Sequence, residues 1–433
     1  MPTKASQSAV AAPHRADTPS RLSRRLGTFD AVVMGLGAMI GAGVFAAIGP
    51  AARAAGPGML IGLLVAAFVA YCNATSSAEL ASLYPESGGT YVYGRKRLGA
   101  LWGFIAGWGF VIGKLASCAA MALTFGYYAA PALARPLAVG AVVALTAVNC
   151  FGVSKTALLT RAIVAIVLTA LAFVVAGNLF GGRPEIDHLQ PLFDAGIYGI
   201  LQAAGLLFFA FAGYARIATL GEEVVDPART IPRAIPLALA ITLAVYAAVA
   251  VSALLAVGAA ALAQAPAPLV AAVESGRWAA LSPVIRVGAA VASLGVLLSL
   301  LGGVSRTAFA MASNRDFPGF LDAVHPRYRV PYRAELVAGA IVAAVVVVSD
   351  IRNAIGFSSF AVLTYYAIAN ACALTLTARE RQWPRWLAIC GLAGCAALAL
   401  SLPLPSVLGG AGLLLVGAGV FALRNRVRAA GTR

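Results

Sequence analysis

Residues 35–45, Gly35-Leu36-Gly37-Ala38-Met39-Ile40-Gly41-Ala42-Gly43-Val44-Phe45, could do chemistry with their backbone alone. They lie in an apolar run, Ala31 to Ala52, long enough to cross a bilayer, yet four of the eleven are glycine. Each glycine costs a helix interior about 1 kcal/mol against alanine. A backbone polar group left free in lipid costs several more, so irregular chain at that depth persists only where it lines a cavity or is buried in protein. The pattern predicts a helix broken at Gly41-Ala42-Gly43, whose exposed amides hold a ligand. The competing expectation is close helix packing through small residues. A second anomaly follows five spans later. In Leu207-Phe208-Phe209-Ala210-Phe211-Ala212-Gly213-Tyr214-Ala215-Arg216, small residues alternate with aromatics and a glycine sits in mid-span. Matching interruptions in two halves of a chain point to inverted repeats around a midplane site.

Few ionisable residues accompany these breaks. Lys114, between Gly113 and Leu115, sits deep in an apolar run. An ammonium at that depth costs about 2.5–3.5 kcal/mol on insertion scales, which points to a function. Arg216 lies beyond the second break, Glu79 near the end of another run, and Glu222 and Glu223 close the run that holds Arg216. Opposite charges near one membrane face can form an inner gate that breaks and re-forms. Glu222 and Glu223 also fit a plain solvated helix end.

About twelve apolar runs position these residues, at 29–52, 58–82, 99–128, 134–151, 160–180, 196–220, 235–260, 284–312, 334–350, 356–377, 385–402 and 405–423. The 433 residues are 61% hydrophobic and 11% charged, which excludes an ordinary soluble domain. Continuous rather than alternating apolar runs exclude a transmembrane β-barrel. The net charge of +16 reads as a topology signal rather than a nucleic-acid surface, because the basic residues gather between the apolar runs. With the N terminus placed inside, 24 of the 32 Lys and Arg fall in inner segments and 6 in outer ones. That bias predicts a protein of the inner (cytoplasmic) membrane with both termini cytoplasmic. Six cysteines without a Cys-x-x-Cys pair and three scattered histidines give no metal site, no cofactor site and no enzyme machinery. Residues 1–26 are expected to be a disordered cytoplasmic tail rather than a signal peptide, and 425–433 a second cytoplasmic tail.

Four stretches in order resemble the amino acid–polyamine–organocation (APC) superfamily. They are Gly41-Ala42-Gly43-Val44-Phe45 with Gly49-Pro50 and Ala55-Gly56-Pro57-Gly58; Ala78-Glu79-Leu80 with Tyr84-Pro85-Glu86-Ser87-Gly88-Gly89-Thr90-Tyr91; Phe208-Phe209-Ala210-Phe211-Ala212-Gly213 with Gly221-Glu222-Glu223 and Asp226-Pro227; and Ser305-Arg306 through Asn314-Arg315-Asp316. The resemblance covers residues 27–425 and is nearest the bacterial cationic-amino-acid-transporter-like branch. It implies an all-α membrane protein of 12 transmembrane helices: a LeuT-like 5+5 inverted repeat plus two extra helices, with helices 1 and 6 discontinuous. The repeats would span 27–182 and 194–378, and the extra helices 383–424. It implies secondary transport of amino acids by alternating access. An exchanger or polyamine carrier is the alternative, and a non-transporting nutrient receptor is the alternative from another class.

In that frame a zwitterionic amino acid places its carboxylate on the N–H groups of Gly41, Ala42 and Gly43. Its ammonium goes to carbonyls of Met39 or Ile40 and of Phe209 and Ala210. Ala42, Phe211, Ala212 and Gly213 shape the side-chain space, and Phe209 by resemblance gates it. No carboxylate lies at either break, which leans towards neutral substrates. Relatives in this branch carry a lysine in the fifth span thought to replace a sodium ion; here Val167 occupies that position. Lys114 is expected to supply the charge instead, coupling transport to protons, while Ser293 and Ser299 are the candidates for a sodium site.

Overall fold

The computed structural model describes residues 27–84, 88–152, 157–214, 217 and 224–431. Its first half runs α1 (Thr28–Met39), α2 (Ala42–Ala55), α3 (Met59–Leu83), α4 (Thr90–Arg97), α5 (Ala100–Ala129), α6 (Ala134–Cys150) and α7 (Ala157–Ala176). The second half runs α8 (Gly196–Phe211), α9 (Pro227–Gln264), α10 (Pro268–Glu274), α11 (Ser282–Ser313), α12 (Tyr332–Val348), α13 (Ile351–Leu374), α14 (Arg385–Ser401) and α15 (Leu404–Gly431). Among the described residues, nine helical stretches are long and apolar enough to cross a membrane. Thr28–Met39 and Arg385–Ser401 are shorter apolar helices.

The break in the first apolar run is real. α1 starts at Thr28, and in its first turn the Asp30 carboxylate accepts from Gly27 N at 3.3 Å and pairs with Arg161. It stops at Met39. Ile40 leaves the helix at φ −76°, ψ 63°, and Gly41 follows at φ −119°, ψ −143°. The chain then re-enters a helix at Ala42. Gly41 is therefore not needed for a left-handed backbone. What excludes a side chain is α11: a Cβ at Gly41 would fall 2.3 Å from Val296 Cγ2. The second run also changes within its length, where α8 gives way after Phe211 to a tight 3₁₀ turn over Ala212–Tyr214.

One end of the bundle is tied through α4. Thr90 N donates to Tyr365 Oη at 3.0 Å, drawing α13 to the start of α4. Asp316, 4% exposed, accepts from Tyr91 Oη and from Arg95 Nη1, each at 2.7 Å, and from Arg424 of α15. Arg97 pairs with Glu380 at 2.6 Å and holds that carboxyl down to about 2, so the pair stays ionised at physiological pH. Two elements distant in sequence, α4 and α15, thus converge on the buried carboxylate of Asp316. Asp316→Ala is expected to cost about 3 kcal/mol, because it strands buried donors. Thermal unfolding in detergent would show this as a clear drop in melting temperature; a wild-type melting temperature would contradict it.

Candidate substrate site

The two breaks meet. A Cβ on Gly43 would lie 2.7 Å from Ala210 Cα, so α2 and α8 touch backbone to backbone there. A Cβ on Gly213 would lie 2.2 Å from Ala38 O, so the turn after α8 presses on the end of α1. Both expectations for the glycine run therefore hold together: the helix is broken, and its small residues also serve close packing. Gly43 in particular faces protein, not open space for a ligand.

Burial at the breaks is deep. Met39, Ile40, Ala42, Val44, Phe208 and Phe211 are at most 2% exposed. Ala210 and Ala212 are also buried, whereas Phe209 and Gly213 are half-buried. α2 begins without a side-chain cap, its N-cap being Gly41. The first amides of a helix have no intrahelical acceptor, and no side chain caps those of α2.

The freed carbonyls have partners that the sequence reading missed. Tyr246 of α9 donates its hydroxyl to Met39 O and lies 3.2 Å from Ala210 O. Tyr366 of α13 donates to Ala212 O at 3.4 Å. Tyr128 of α5 donates to Phe45 O at 3.1 Å, one turn into α2. Each tyrosine sits in an otherwise aliphatic or mixed run and reads there as aromatic core. The only sequence signal for Tyr246 is Thr242, one turn earlier on the same helix face.

A chain of rings leads from Lys114 to the second break. The Lys114 ammonium lies 5.9 Å from the Phe110 ring centre. Phe110 packs on Tyr365 at 5.3 Å, Tyr365 on Tyr366 at 5.2 Å, and Tyr366 bonds Ala212 O. Among the described residues no carboxylate pairs with Lys114, which is half-buried. Val167 is fully buried on α7.

Other predicted residues lie elsewhere. Glu79 accepts from the backbone of Gln382 and Trp383 at 2.7 and 2.6 Å, so its described contacts anchor the loop before α14 rather than form an ion-pair gate. Arg216, Glu222 and Glu223 lie outside the described residues. Ser293 is fully buried, but Ser299 is exposed. Six residues along a helix turn the second serine through about 240°, away from the first, so the two cannot share an ion. A third buried carboxylate, Glu335, was not anticipated; it accepts from Ser305 Oγ at 2.6 Å and Asn149 Nδ2 at 3.4 Å.

One open crevice does not suit a zwitterion: it holds about 810 Å³ among α5, α11, α12, α13 and α15, and no charged side chain lines it. At the breaks the free space is only about 10 Å³, lined by Val44, Ile48, Met59, Ala210 and Tyr246 among others. The structure is closed there.

Comparison with known proteins settles the family. The model of the family described as "Amino acid permease" matches residues 30–392. The chain belongs to the amino acid permease family. It is 62% identical over 409 residues to an uncharacterized transporter of Mycobacterium tuberculosis, covering 94% of this chain and 93% of that one. It is 28% identical over 397 residues to the branched-chain amino acid permease BcaP of Bacillus subtilis, covering 84% and 83%. It is 27% identical over 389 residues to the chloroplastic cationic amino acid transporter 7 of Arabidopsis thaliana, covering 82% and 66%. The permease is thus a membrane transporter, not an enzyme.

Gly43→Ala in this permease is expected to lower stability by about 1–3 kcal/mol through overpacking against Ala210. Ala210→Gly in the same chain should recover part of that loss. Melting temperatures of the two single variants and the double variant check this; strictly additive effects would contradict the contact.

Proposed function

We propose that this permease moves a neutral amino acid across the cytoplasmic membrane by alternating access, using the two breaks as its binding site and protons as its coupling ion. Twelve passes, arranged as two five-helix inverted repeats and two extra helices, would carry both termini on the cytoplasmic side. The single observation that carries the reading is the uncapped N terminus of α2 seated against the second broken helix in an apolar interior. Amides of Ala42 and Gly43, with that of Gly41 once it leaves Met39 O, meet the carboxylate; carbonyls of Met39, Ile40, Phe209 and Ala210 meet the ammonium. Phe209, half-buried beside the break, covers the ligand.

Neutral substrates are favoured because the buried carboxylates among the described residues are engaged elsewhere. Glu79, Asp316 and Glu335 are each bonded far from the breaks in sequence. A lysine or arginine side chain would find no described counter-charge there. The Bacillus relative is named as a permease of branched-chain amino acids, which is in line with this.

Uptake by proteoliposomes tests it. Branched-chain amino acids should accumulate, and L-arginine should compete at least tenfold less well; arginine as the preferred substrate would contradict the neutral reading. Lys114 is assigned the proton step through its ring chain to the second break. Lys114→Met is expected to remove the dependence of uptake on a pH gradient, and unchanged acceleration by an inward proton gradient would contradict that assignment.

A further inference from the structure

Two of the carbonyls that would hold the substrate's ammonium, Met39 O and Ala210 O, are already occupied by the protein. Tyr246, 2% exposed, places one hydroxyl between Met39 O and Ala210 O, which belong to the two different broken helices. A phenol has one proton to donate. It therefore serves two acceptors imperfectly, and Met39 O is further shared with Gly41 N at 2.7 Å. The ring is held by Phe211, edge to face at 5.3 Å, so the hydroxyl cannot drift from the break without moving the second broken helix. The space beside it holds no more than one water. While Tyr246 stays, no ligand reaches either carbonyl.

We propose that Tyr246 is an internal latch: its hydroxyl stands in for the substrate's ammonium, joins the two breaks when the site is empty, and is displaced when substrate binds. This rests on the reading of the breaks as the amino acid site. The exchange is favourable because an ammonium brings three donors and a full charge where the phenol brings one neutral donor. In the empty carrier the latch offers its one proton between Ala210 O and Met39 O, the second of which also accepts from Gly41 N. It also weakens binding, since substrate must displace it first.

The test measures amino acid affinity of wild type and Tyr246→Phe by thermal shift across the twenty proteinogenic amino acids, then calorimetry with the best one. The phenylalanine variant removes the competitor and leaves the carbonyls. Its affinity is expected to rise roughly tenfold, the scale of one net hydrogen bond, while its ligand-free melting temperature falls. Equal or weaker binding by the variant, with wild type binding normally, overturns the latch and leaves the amino acid site standing. No amino acid stabilising either protein overturns the site reading itself. Should the variant not fold, 3-fluorotyrosine at position 246 keeps the hydroxyl and reports on it directly. Its fluorine resonance is expected to shift when the best ligand saturates wild-type protein, and a resonance that ligand leaves unmoved overturns the latch.

Discussion

A backbone carbonyl or amide without a partner is far more costly in hydrocarbon than in water. Breaking a helix at mid-depth creates several such groups at once. The rest of this permease is organised around meeting that cost. Met39 O, Ala210 O and Ala212 O receive tyrosine hydroxyls from α9 and α13, and Phe45 O receives one from α5. α9 and α13 thus meet the broken segments through hydrogen bonds as well as through apolar packing. The glycines then allow the broken segments to touch, so that one hydroxyl can serve carbonyls of both.

The same tyrosines connect distant parts of the molecule. Tyr366 packs tilted on Tyr214 at 5.1 Å and edge to face on Tyr365, whose hydroxyl accepts from Thr90 at the head of α4. α4 in turn leads to the Asp316 cluster and to α15. A rearrangement of the second break has a contiguous route to the α4 clasp. Such a route is a physical connection through packed groups, and its energetic weight is a matter for coupling measurements.

Much of this was legible in the sequence. The helical runs follow from length and hydropathy, and the first break follows from Gly41-Ala42-Gly43 in a run otherwise fit to span a bilayer. The family follows from motifs spread over the chain. Less legible was the purpose of each residue. Gly43 looked like room for a ligand and is room for Ala210, because a glycine's neighbour is not written beside it. Glu79 looked like a gate charge and its described contacts hold the loop before α14, because its partners are backbone amides some three hundred positions away. Ser299 failed for a simpler reason, the helical period. Tyr246 stayed hidden because a tyrosine in an aliphatic span has the same appearance whether its hydroxyl caps a broken helix or merely finds any acceptor.

The central claim is that both breaks together grip an amino acid, and it can be checked at the backbone itself. Hydrogen–deuterium exchange on the reconstituted permease would follow peptides covering residues 36–46 and 206–214, with and without saturating ligand. The account predicts that ligand slows exchange in both segments together, with Ala42, Gly43 and Val44 showing the greatest protection. Ligand protection confined to other helices, with both segments unchanged, would contradict it.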